Sequence, residues 1–237
     1  MGDKGKTLGN IAINDSFLVK SHIYRMLYFY FKKEPFYAEL LDLYNETIYQ
    51  TELGQLLDLT SQPPGRLDFD LYTLERYLKI VTYKTAFYSF YLPVVAALLL
   101  HDRKKNEEAF REARDILLPM GQFFQVQDDF LDCYGAPEVI GKVGRDIEEA
   151  KCGWLVVEAI KRADKAQMEV LKQNYGQEEP AKVAKVKEVY KQIDMEKVYK
   201  QYEEESYQKL VSQIQNSKHL PKDVYFRLLE KIYKRKL

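Results

Sequence analysis

The sequence has 237 residues, with 36 Lys and Arg against 36 Asp and Glu, so its formal net charge is zero. Hydrophobic residues make up 46% and charged residues 30%, which fits one folded domain over 1–237 and excludes a disordered tail. The charge balance argues against nucleic acid or an anionic membrane as partner, since both select a basic excess. Two cysteines, Cys133 and Cys152, cannot build a disulfide framework, which points to a reducing compartment.

The opening, MGDKGKTLGN, lacks the apolar stretch of a secretory signal, and a cytoplasmic location is expected. Asp15 and Ser16 can cap a helix running from Phe17 to about Lys33. Pro35 suits the first turn of the next helix, which reaches about Thr60. Pro63, Pro64 and Gly65 mark a loop. A helix over about Asp70 to Leu100 follows, with a kink expected at Pro93. Its apolar stretch, Ala86–Leu100, is about 15 residues, short of the roughly 20 that span a bilayer, so a buried helix and no transmembrane segment are expected. The charged run from His101 to Glu108 is an exposed turn. A helix over about Glu107–Tyr134 stops at Gly135, and a glycine-spaced loop, VIGKVGRD, comes next. Further helices are expected at about Ile147–Arg162, Lys165–Tyr175, Pro180–Gln192, Met195–Asn216 and Lys222–Arg235. Strand alternation and tight hairpin signals are missing, so the fold class is all-α, a helical bundle.

The segment Gly121–Gly135, GQFFQVQDDFLDCYG, carries the chemistry. Asp128 and Asp132 lie one turn apart on one helix face, and Asp129 is rotated by about 100°. Three carboxylates among Phe123, Phe124, Val126, Phe130 and Leu131 repel each other, and burial adds a desolvation cost. A divalent cation relieves this, and hard oxygen donors with open positions suit Mg²⁺ and substrate phosphates. The plain alternative is a solvated acidic face at a helix end. Lys84, inside VTYKTAFY, either snorkels to water or serves a buried anion, with Thr85 and Tyr88 nearby. Gln55 and Asp58 read as a polar helix flank or as the edge of a pocket. Lys142 and Lys151 follow the acidic turn. Acids, lysines and aromatic walls together suit a metal–pyrophosphate site at the mouth of an apolar pocket.

The segments TELGQLLDL (51–59), YKTAFYSFYLPVVAAL (83–98), FFQVQDDFLD (123–132), GKVGRDIEEAKCGWL (141–155) and KIYKRK (231–236) resemble eukaryotic-type farnesyl diphosphate synthases from about Ala12 onward. Residues 1–11 look like an unrelated start. The resemblance implies the all-α isoprenoid-synthase fold and Mg²⁺-dependent condensation of isopentenyl diphosphate with an allylic diphosphate (dimethylallyl or geranyl). It assigns Asp128, Asp129 and Asp132 to metal binding, and Lys84 and Lys142 to the diphosphate. Thr85 and Gln125 steady the departing pyrophosphate. Gln55, Asp58, Tyr88, Phe124, Lys151 and Arg235 line or close over the substrates, with Lys234 in the same basic end. The family is dimeric, so a homodimer, or a heterodimer with a full-length synthase, is expected.

The family pattern also has a first aspartate-rich motif upstream, yet Asp128–Asp129 is the one Asp-Asp pair in this sequence. By this resemblance about the N-terminal third is lacking, half the metal cage with it, and apolar Ile23, Leu27 and Phe31 are left uncovered. An inactive synthase-like binding partner is the competing reading. A terpene cyclase would want a second, asparagine-based metal motif, for which only Asn174 and Asn216 come into question.

Overall fold

The computed structural model describes residues 3–63, 65–101, 106–141 and 143–233. Among them there are helices and no strands, as the missing period-2 alternation requires. Helix α1, Asp3–Phe31, begins well before Phe17. Ser16 does not cap it: its hydroxyl donates to the Ile13 carbonyl at 2.6 Å, within the helix. Helix α2, Tyr37–Leu59, crosses back over it. Leu27 is buried with Leu40 and Leu99, and Ile23 and Phe31 pack on them, so the expectation that these three stay uncovered is corrected. The uncovered apolar side chains of α1 include Phe17, Leu18, Val19, Met26, Phe29 and Tyr30.

The third helical run is continuous from Leu74 to His101 but changes pitch. After α3, Leu74–Val81, ten residues, Thr82–Tyr91, form a π-helix, and α4 covers Leu92–His101. Thr73 caps α3 by accepting the Arg76 N–H at 3.2 Å. The widened turns end just ahead of Pro93, which lies in the first turn of α4. The 28-residue run is long and apolar enough to cross a membrane by length and composition, but it is clamped between two other helices. A Cβ on Gly54 of α2 would sit 2.2 Å from the Lys84 nitrogen. On the other side, a Cβ on Gly121 would sit 2.5 Å from the Ala86 Cα. Both neighbours therefore touch the π-helical backbone, and only glycine permits that approach.

Helix α5, Glu107–Tyr134, is capped by Asn106, which accepts the Ala109 N–H at 3.1 Å. It is the common axis of the two main cores. Phe123, Leu117 and Met120 pack with Leu210, Ile214 and Tyr225 at one end. Val126 joins Trp154, Tyr175, Tyr190 and Tyr199 at the other. Then come the short α6, Pro137–Ile140, α7, Trp154–Arg162, and α8, Lys165–Asn174. Helices α9, Pro180–Gln192, α10, Met195–Gln215, and α11, Lys222–Ile232, complete the bundle. Residues 147–153, expected in a helix from Ile147, form a turn and loop instead, with Ala150 at φ 53°.

Candidate functional site

The π-helix presents Lys84 and Thr85 side by side between α2 and α5. The Thr85 hydroxyl, nearly buried, donates to Gln125 Oε1 at 2.8 Å. That fixes the Gln125 amide so that its Nε2 points at the acidic turn, donating to Asp129 Oδ1 at 3.0 Å and to Asp128 Oδ2 at 3.3 Å. One turn earlier, Gln122 Nε2 donates to the Thr82 hydroxyl at 2.8 Å, a second tie between the same elements.

The three aspartates have different surroundings. Asp129 is turned inward and buried, and its Oδ2 accepts the Trp154 backbone N–H at 2.9 Å. Burial pushes its carboxyl up to about 6, against the pull of Gln125, the Trp154 N–H and the Tyr77 hydroxyl, and neighbouring Asp128 adds to the rise. Asp128 is half-buried on the outer side. Asp132 Oδ2 accepts the Asp146 N–H at 3.0 Å, which ties the following loop to the helix end. Gly144 makes this possible, since a Cβ there would lie 1.7 Å from the Asp132 carbonyl oxygen. Among the described residues no three acidic, histidine or cysteine side chains converge as a ready-made metal cage.

Asp58 was readable as a polar flank; the structure buries it. Its Oδ2 accepts from Lys84 Nζ at 2.7 Å and from Lys151 Nζ at 2.9 Å. Burial raises its carboxyl, but the two ammonium groups outweigh that and hold it below the usual carboxylate range. Burial in turn lowers Lys151, but Asp58 overcomes this and raises it. The Lys151 backbone is pinned as well: Tyr72 Oη donates to the Ala150 carbonyl at 2.9 Å and Tyr175 Oη to the Lys151 carbonyl at 2.7 Å.

Lys84 and Lys151 on Asp58, and Thr85 and Gln125 on the acidic turn, thus form two polar clusters that meet at the adjacent residues Lys84 and Thr85. Phe124 packs against Phe90, ring centroids 5.6 Å apart, beside it. Gln55 and Tyr88 are exposed and make none of these contacts. Lys142, Lys234 and Arg235 lie outside the described residues. Asn174 and Asn216 donate to the carbonyls of Val170 and Ser212 on their own helices, at 2.7 and 2.9 Å, and among the described residues no second metal motif forms around them. Sequence reasoning missed Tyr72, Tyr175 and the Trp154 N–H. Each acts across the fold through a backbone group, and no local pattern announces that; the density of tyrosines was the one available hint.

The polyprenyl synthetase family profile matches residues 5–193. The chain belongs to the polyprenyl synthetase family. It is 55% identical over 231 residues to farnesyl diphosphate synthase of Dictyostelium discoideum, covering 98% of this chain and 60% of that one. With farnesyl pyrophosphate synthase of Gallus gallus it shares 50% over 98% of this chain and 63% of the relative. A T. brucei farnesyl diphosphate synthase structure, complexed with risedronate, superposes with a TM-score of 0.88 at 34% identity. That match covers 96% of this chain and 68% of the other. The chain therefore spans about three-fifths of the length of the curated relatives it matches, with the all-α fold of this polyprenyl synthetase family.

Proposed function

We propose that this chain is a prenyltransferase of the farnesyl diphosphate synthase type, and that its site takes an allylic diphosphate. One observation carries the reading. Two lysines from separate elements converge on one buried carboxylate, and Thr85, next to Lys84 in the chain, is tied through Gln125 to Asp128. Clustered ammonium groups beside hard oxygen donors fit a diphosphate and its metal ion.

Asp128 and Asp132 would hold Mg²⁺, whose chemistry when bound is to neutralise charge growing on pyrophosphate. Asp129, with both oxygens engaged by protein donors, supports the turn from inside. Lys84 and Lys151 supply positive charge where the allylic C–O bond breaks and pyrophosphate leaves with the electron pair. The homoallylic double bond of isopentenyl diphosphate then attacks the allylic carbon, and loss of a proton completes the new C–C bond. Phe90 and Phe124, packed on each other, exclude water from the cationic carbon. A second subunit, another copy or a longer synthase, covers the apolar side chains of α1.

Incubation with labelled isopentenyl diphosphate and geranyl diphosphate, followed by product chromatography, tests the proposal. Magnesium-dependent farnesyl diphosphate supports it. Finding none while a relative run alongside turns over would favour a binding role alone.

A further inference from the structure

We infer that Asp58 is a positioning residue: it gathers the Lys84 and Lys151 ammonium groups into one unit that grips a diphosphate, rather than touching that ligand itself. The inference rests on the proposed diphosphate site. Both nitrogens contact the same oxygen, at 2.7 and 2.9 Å, so they lie within about 5.6 Å of each other, a span one diphosphate can bridge. The side chains are layered. Asp58 is 6% exposed, behind lysines that are 31% and 20% exposed, so the acid stands at the back and the cations in front. Each ammonium has three N–H donors. With one spent on Asp58, the others remain for phosphate oxygens; exposed Glu149 comes no nearer to Lys151 than 4.0 Å.

Three parts of the fold are committed to this meeting point. Gly54 sets α2, and with it Asp58 one turn later, directly against the Lys84 backbone. Tyr72 and Tyr175 fix the carbonyls on either side of the Lys151 nitrogen–carbon framework. Ala150, immediately before it, is held at φ 53°, a left-handed conformation that an alanine rarely adopts. Strain of this kind persists where the surroundings over-determine it, often at functional positions. Without Asp58, two like charges would stand side by side and drift apart.

The test uses the sign of the effect. Asp58→Asn removes a negative charge, so electrostatics alone predicts tighter binding of inorganic pyrophosphate. Positioning predicts weaker binding, by at least about tenfold in calorimetric titration with Mg²⁺. Unchanged or tighter binding by a folded variant overturns the inference. Should Asp58→Asn not fold, Asp58→Glu keeps the charge and displaces it by one methylene. Weakened pyrophosphate binding is again expected, and wild-type affinity overturns the claim. A second readout needs no ligand: acylation rates of individual lysines, by mass spectrometry on the wild-type chain. Lys84 and Lys151 should react at least about tenfold more slowly than exposed Lys165, and equal rates overturn the inference. Slow labelling with no pyrophosphate binding by the wild type would reject the diphosphate reading and leave the clamp intact.

Discussion

Replacing Gly54 with alanine sets two effects against each other. In an exposed helix the change stabilises, because alanine is favoured over glycine by up to about 1 kcal/mol. Here the added methyl would sit 2.2 Å from the Lys84 nitrogen and 2.5 Å from the Tyr83 carbonyl carbon, both backbone atoms of a helix clamped on its far side by Gly121. Ordinary contact needs about 3.4 Å, so α2 must back away by about 1.2 Å. Overpacking of this kind costs typically 1–3 kcal/mol, more where the obstacle is backbone. The net expectation is a loss of roughly 1–2 kcal/mol. A shift of that size also takes Asp58, now 2.7 Å from Lys84, beyond hydrogen-bonding distance. Urea denaturation followed by circular dichroism measures the first effect, and pyrophosphate titration the second. Gly9→Ala is the control: nothing lies within 4 Å of its added methyl, so that variant should be neutral or slightly more stable. If Gly54→Ala matches or exceeds wild-type stability, the close contact between α2 and the π-helix is wrong.

Further outcomes follow from the same geometry. Glu112 accepts the N–H groups of Lys218, His219 and Leu220, joining the turn before α11 to α5; Glu112→Ala should cost about 2–3 kcal/mol in the same denaturation assay, and a loss under about 0.5 kcal/mol would count against it. Asp58 is depressed in the folded state, so its stabilisation is present above the unfolded carboxylate value of about 3.9 and is lost as pH falls through the folded value below that. The stability difference between wild type and Asp58→Asn should therefore stay constant between pH 7 and 4.5 and shrink on further acidification; a difference that already shrinks above pH 4.5 would contradict the depression. Burial pushes the Cys152 thiol up to about 12 and Cys133 up to about 11. Native protein at pH 8 should react slowly with a disulfide reagent, while urea-unfolded protein releases two equivalents; rapid native labelling would contradict the packing around both.

The helical class and most boundaries after residue 35 could be read from glycine and proline punctuation, since those residues act locally. The acidic turn was legible too: spacing alone rotates Asp129 away from Asp128 and Asp132, and in the fold it does point inward. The π-helical pitch of Thr82–Tyr91 was not. It depends on glycines in two other helices, 54 and 121, that admit its backbone. Likewise the loop at 147–153 carries helix-compatible residues but is drawn out by Asp132, Tyr72 and Tyr175, partners 14 to 78 positions away. Asp58 looked like any polar residue on an amphipathic helix. Its role appears only when Lys84 and Lys151, 26 and 93 residues distant, are brought to the same oxygen.

The central claim is a magnesium-dependent diphosphate site on α5 and the π-helix. Calorimetric titration of inorganic pyrophosphate into the wild-type chain and into Asp128→Ala, each with and without Mg²⁺, addresses it directly. The account predicts saturable binding that needs Mg²⁺ and disappears in Asp128→Ala. Binding indifferent to both the ion and the substitution, or no binding by the wild type, would contradict it.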